Sequence, residues 1–177
     1  MEIDHGIRRL EAHDGVEALM RIFDGVGELR ASAGESIGSS GWLTVDQERI
    51  DTFAAATGDH QWIHVEPHRA ASGPFGTTIV PGFLALSLIP VFSPQVYAVK
   101  NISMAINYGL DKARFITPVP VDSRIRGSFR LLQVSDVSGG VQVRSQVTIE
   151  LAGSERPACV AETLVRYLSH RGAHREH

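Results

Sequence analysis

Cysteine is nearly missing from this chain. One thiol, Cys159, among 177 residues cannot close an internal disulfide, so a disulfide-stapled secreted scaffold is ruled out and a reducing compartment, the cytoplasm, is expected. A run of Lys or Arg is missing too, and the formal net charge is −3, which leaves little electrostatic basis for holding nucleic acid or an anionic bilayer. The longest apolar stretch, Ile79 to Phe92, is interrupted by Pro81, Gly82, Ser87 and Pro90 and falls short of the roughly 20 residues that span a membrane. The first residues carry Glu2 and Asp4 and show no apolar run of signal-peptide type, so no leader is expected. What remains is ordinary globular material, 43% apolar and 21% charged, long enough for one domain with a real core.

The first thirty residues set Val16, Leu19, Met20, Ile22 and Phe23 on a rough helical stripe, which predicts an amphipathic helix in an N-terminal extension, residues 1–32. Gly34 to Gly41, rich in Gly and Ser, separates it from the body, with room for a short strand near Ser36 and Ile37. The body is read as a single domain, residues 33–170, and residues 171–177 as a flexible tail rather than a histidine ligand set. Thr44-x-x-Gln47 has the capping-box pattern of a helix start, Ile50, Phe53, Ala54 and Thr57 share the inner face that follows, and Gly58 suits its end. Pro67 fits the first position of another short helix, and Pro81 opens a third through Phe83, Leu84, Leu86, Leu88 and Ile89 that is apolar on every side.

Such a helix must be buried, and the second half of the chain supplies its wrapper. Ile102, Met104, Ile106 and Tyr108 alternate with their neighbours, as do Ile125, Phe129 and Leu131 with Arg124, Arg126 and Arg130. After turn chemistry at Ser135 to Gly140, Val141, Val143, Val147, Ile149 and Leu151 alternate with polar residues, and Ala158 to Leu168 reads as a last strand. The predicted class is α+β, a curved antiparallel sheet around a central apolar helix.

Chemistry concentrates between Phe53 and Pro67. Asp59 and His64, five residues apart, would diverge by about 140° on a continuous helix. A break at Gly58 lets the carboxylate and imidazole converge on one water, which such a pair can position and deprotonate. On the residues alone the plainer alternative stands beside it, with Asp59 capping a loop and His64 a satisfied polar side chain. His60, His64 and His68 are spaced by four, as metal ligands on one helical face would be, but that needs an unbroken helix and Pro67 opposes one, so no metal is expected. Gly82 starts the apolar helix, where a first-turn N–H has no internal partner and could receive a developing oxyanion, or where a glycine is needed only for close packing. Ser87 reads as a core serine bonded back to its own helix rather than as a catalytic group.

The stretch TGDHQWIH, followed by GPFGTTIVPGFLALSLIP and NYGLDKARFITPVPVDSRIR, resembles the MaoC-like dehydratase family, the R-specific enoyl-CoA hydratases of the hot-dog fold, over about Ala33 to Leu168. The resemblance implies a hot-dog sheet curled around Pro81 to Phe92 and a homodimer whose two sheets join. It implies that Asp59 and His64 orient and activate water and that the Gly82 N–H receives the thioester oxygen, with Trp62, Phe75, Phe83 and Ser87 bordering the substrate pocket. The implied reaction is reversible addition of water to a trans-2-enoyl thioester, giving the (3R)-3-hydroxyacyl product. Its partner is an acyl-CoA or acyl-carrier thioester, and no cofactor is needed beyond that carrier.

Three departures from the family pattern stand out. Gln61-Trp62 replaces a common Asn-Pro, Pro81 replaces the histidine often found before the oxyanion glycine, and Glu66 replaces an aspartate that caps better. Two other functions fit the same fold. A hot-dog thioesterase would direct water at the carbonyl and release free thiol, and a non-catalytic subunit would bind an acyl thioester without turning it over.

Overall fold

The computed structural model describes residues 7–10 and 18–169. In chain order it begins with β1 (Ile7–Leu10), β2 (Ala18–Phe23) and α1 (Val26–Ala31). Then come β3 (Ser36–Ser39), β4 (Leu43–Val45) and the helices α2 (Gln47–Thr57), α3 (Trp62–Val65) and α4 (Pro67–Ala70). The apolar rod follows as α5 (Gly82–Ser87) and α6 (Ile89–Val96), leading into β5 (Tyr97–Val99). The second half is β6 (Met104–Phe115), β7 (Ser123–Val137), β8 (Gly140–Leu151) and β9 (Cys159–Leu168).

Six strands form the main sheet, in the order β3-β7-β8-β9-β6 with β4 also pairing along β7. Every pairing in it is antiparallel. The alternation seen in the sequence sets its inner face: Ile125, Phe129 and Leu131 of β7, Val141, Val143, Val147 and Ile149 of β8, and Cys159 and Ala161 of β9 are buried. Against this face lies the rod, whose Leu84, Leu88, Phe92 and Val96 recur every four residues and are all buried. The rod meets the sheet so closely at Gly127 that a β-carbon there would come within 2.9 Å of the Phe129 ring and 3.0 Å of Phe92 Cβ. This is the hot-dog arrangement, α+β with a curved antiparallel sheet packed around a central helix.

Local corrections have physical reasons. The stripe predicted as a helix forms β2 from Ala18 to Phe23, which pairs antiparallel with β1 and parallel with β5. Burial of Phe23, fully enclosed with its ring edge-on to Tyr97 at 6.0 Å, outweighs the helical spacing of its neighbours. The helix of this region falls later, at α1, and Val16 and residues 170–177 lie outside the described residues. Thr44 caps nothing; it sits in β4 opposite Arg124, and Asp46 is the cap of α2, accepting the Arg49 N–H at 2.9 Å. The rod is not enclosed on every side, because Phe83 is 67% and Val91 44% exposed. It is also two helices rather than one, since Pro90 has no N–H to continue the ladder past Leu88. The turn predicted from Ser135 is tighter than that: β7 continues to Val137, and Gly139 turns at φ 81°.

Candidate active site

The site grows from the end of α2. Gly58 caps that helix in the left-handed conformation, φ 77°, and its N–H returns to the Ala54 carbonyl at 2.8 Å. The chain therefore leaves the helix axis just before Asp59, and the next helix, α3, starts only at Trp62. Asp59 lies in this bend, exposed, with its Oδ1 accepting the Gln61 N–H at 3.4 Å. Among the described residues no cation pairs with it and no hydrogen bond joins it to His64.

His64 is 7% exposed. Its Nδ1 is 2.7 Å from the Ile79 carbonyl oxygen, and because a carbonyl only accepts, Nδ1 carries the proton. In the neutral ring Nε2 is then an unprotonated acceptor. The two segments are tied a second time by the Ile79 N–H, which donates to the Ile63 carbonyl at 3.0 Å. His60, His64 and His68 do not share a helix, since α3 ends at Val65 and α4 begins at Pro67 beyond a residue with φ −119°.

His64 and Gly82 line one cavity of about 290 Å³, together with Val80, Ala85, Phe115 and Thr117. Its lining is largely apolar, which strengthens any hydrogen bond made inside it. Gly82 is the first residue of α5 behind the cap Pro81, where a helical N–H lacks an internal acceptor. Proline at 81 leaves that donor untouched. Glycine is required at 82 by packing as well, because a β-carbon would stand 2.8–2.9 Å from the Phe115 ring.

The other candidates fall elsewhere. Trp62 packs on Gly73, where a β-carbon would meet its ring at 2.8 Å, and the Arg69 guanidinium lies 4.7 Å above it, so it anchors the segment after α4. Phe75 is 44% exposed. Phe83 is exposed and meets Phe115, at the end of β6, edge-on at 5.5 Å. Ser87 donates to the Phe83 carbonyl at 2.7 Å, the back-bond expected of it, though it is exposed rather than in the core. It lines a second cavity, about 380 Å³, between the rod and β6 beside Leu86, Asn107 and Leu110. Glu66 makes no side-chain cap to α4.

Three residues of the site were not singled out from sequence. Phe115 walls the cavity over Gly82, and Thr117 lines it with an Oγ1 that is buried and has no hydrogen-bond partner among the described residues. Gln47 donates from Nε2 to the His64 carbonyl at 2.7 Å. Phe115 and Thr117 stood inside a quoted motif with no role attached, and Gln47 was read as part of a cap.

The family profile described as "MaoC like domain" matches residues 28–152. The chain belongs to the MaoC-like dehydratase family. It is 54% identical over 151 residues to a Mycobacterium tuberculosis protein named 3-hydroxyacyl-thioester dehydratase Z, covering 85% of this chain and 100% of that one. It is 43% identical over 139 residues to nodulation protein N of Rhizobium leguminosarum bv. viciae, covering 76% of this chain and 86% of the relative. Its fold matches that of the R-hydratase PhaJ1 from Pseudomonas aeruginosa with a TM-score of 0.63 at 19% identity, over 77% of this chain and 82% of that one. In this MaoC-like chain Asp59 lies on the loop after α2 and His64 on the short helix α3.

Proposed function

We infer that this MaoC-like chain is a hydro-lyase that reversibly adds water to trans-2-enoyl thioesters and yields (3R)-3-hydroxyacyl thioesters. The observation that carries the reading is His64, buried at a largely apolar cavity with Nδ1 committed to the Ile79 carbonyl, so that Nε2 accepts. Asp59 is the second acceptor. A water donating one hydrogen to each turns its lone pair toward the substrate, which is the orientation that addition to the β-carbon requires. As the C–O bond forms, the water loses a proton to Asp59 and the carbonyl oxygen gains enolate charge opposite the Gly82 N–H. The proton held by Asp59 is then returned to the α-carbon as the enolate collapses, so that one water supplies both the hydroxyl and the hydrogen of the product. Positioned acid–base groups contribute on the order of 10²–10⁴ in rate, and one oxyanion donor about 3 kcal/mol. The thioester carrier, coenzyme A or an acyl carrier protein, is part of the substrate, and no further cofactor takes part.

The same proposal makes the enzyme a cytoplasmic homodimer joined along β6. What supports the joint is an edge strand of twelve residues with unpaired backbone on one side, carrying Met104, Ile106, Tyr108, Leu110 and Phe115, each at least 43% exposed.

Purified protein mixed with 2-enoyl-CoA of graded length is expected to remove the enoyl-thioester absorbance and form the 3R product without free thiol. Thiol release instead would make it a thioesterase, and binding without either product would make it a non-catalytic acyl-thioester subunit.

A further inference from the structure

We propose that Gln47 is the positioning residue of this active site, its one side-chain amide holding the catalytic imidazole of His64 through both segments that orient it. The proposal rests on the reading of His64 as catalytic.

Gln47 is the first residue of α2, and its half-buried side chain reaches inward to two places at once. Its Nε2 donates to the backbone carbonyl of His64 at 2.7 Å and to Asp51 Oδ1 at 2.8 Å. Its Oε1 accepts from Thr78 Oγ1 at 2.6 Å, and Thr78 is 1% exposed. The next residue, Ile79, is the one whose carbonyl fixes Nδ1 of His64. One amide thus clamps the backbone that carries the imidazole and the backbone that selects its tautomer. The chemistry of the partners dictates the residue type. A carbonyl and a carboxylate at one end can only accept, so that end must be an NH₂ group, while the Thr78 hydroxyl donates to the other. Glutamine satisfies all three partners, and glutamate of the same shape sets a carboxylate oxygen against two acceptors.

Removing the clamp frees the His64 segment to shift against Ile79, and small displacements of a reacting group are costly in rate. The experiment uses the full chain. Gln47→Met, of similar length and without hydrogen-bonding groups, is expected to lower kcat about tenfold or more with KM changed less than about threefold, because the group moved acts in the reaction rather than in binding. Nitrogen-15 spectra of histidine-labelled protein, with His64 assigned by its loss in His64→Asn, are expected to show one Nδ1-protonated tautomer in the parent and a mixture in Gln47→Met. Gln47→Glu is expected not to rescue. Thr78→Val, which deletes only one of the three bonds, is expected to lower kcat by less than Gln47→Met does, and Thr78→Ser to recover most of that loss. A Gln47→Met enzyme with parental kcat and an unmixed His64 signal overturns the proposal, as does a fully active Gln47→Glu. Should Gln47→Met fail to fold, Thr78→Val decides by the same two readouts, and parental kcat with a single tautomer there overturns it. A parent protein inactive on every thioester refutes the assigned reaction, while the nitrogen spectra still decide whether Gln47 holds His64.

Discussion

At the scale of residues, the site works through what each group is prevented from doing. His64 has Nδ1 committed to the Ile79 carbonyl, which leaves Nε2 of the neutral ring as an acceptor. Gly82 cannot carry a side chain, because the Phe115 ring already fills that space at 2.8 Å. Gly82→Ala is therefore expected to displace Phe115 and the first turn of α5, lowering kcat by about 10²-fold through the misplaced donor and stability by about 1–3 kcal/mol through overpacking. Steady-state kinetics and a denaturant melt check the two effects separately. The bend before Asp59 and the start of α5 at Gly82 were legible because a glycine that breaks a helix and a glycine that starts one both leave marks in sequence. Gln47 was not, since its function depends on His64 and Thr78, 17 and 31 residues away, meeting one amide. No local pattern encodes that meeting.

At the scale of elements, alternation over long strands was the dependable signal: β7, β8 and β9 lie where the pattern puts strands, and the buried positions of β7 and β8 are the apolar ones apart from Gly127 and Ser145. By contrast, β6 starts after Ile102, runs on to Phe115 and leaves almost every side chain exposed. Short segments misled. The stripe ending at Phe23 has too few residues to separate a helix from a strand, and partners that arrive much later, Tyr97 to Val99, decided for the strand. Thr44 looked like a cap until β7 claimed it for pairing.

Between β7 and β8, Arg126 pairs with Glu150 at 2.7 Å, and Ser128 donates to the same carboxylate. Burial opposes ionisation of Glu150, but the hydrogen bonds from Ser128 and Arg126 and the Arg126 charge outweigh it and hold the carboxyl below the usual glutamate range. The folded state then releases this proton more readily than the unfolded chain does. The contribution to stability is present above the unfolded glutamate's titration and is lost as pH falls through the lower folded value. Glu150→Gln is expected to flatten this part of the acid-side stability curve, measured by urea midpoints from neutral pH downward. An unchanged curve would contradict the assignment. Both groups are about one-third exposed, so the amplitude is small.

At the scale of the whole molecule, one chain leaves work undone. The sheet covers one side of the rod, while among the described residues Phe83 and Val91 of the rod and the outer edge of β6 remain open. The proposed second copy, joined along β6, would cover the edge without disturbing the inner face. Sedimentation is expected to give a dimer, and Leu110→Lys combined with Phe83→Glu a monomer of reduced activity; a parent that sediments as a monomer at micromolar concentration contradicts the joint. The class was readable because it follows from patterning, whereas the strand order, with β6 beside β9 rather than β7, was not, and neither was the exposed side of the rod, since an all-apolar helix reads the same whether its cover comes from its own chain or another.

In the proposed reaction Asp59 and His64 together direct one water at an enoyl β-carbon. The most direct measurement is the hydration rate of a trans-2-enoyl-CoA by Asp59→Asn against the parent protein, with folding checked by circular dichroism. Asp59 is exposed and makes no ion pair among the described residues, so the substitution is expected to leave stability within about 0.5 kcal/mol. The rate is expected to fall by about 10²-fold or more. A folded Asp59→Asn protein that hydrates at the parental rate would contradict the account.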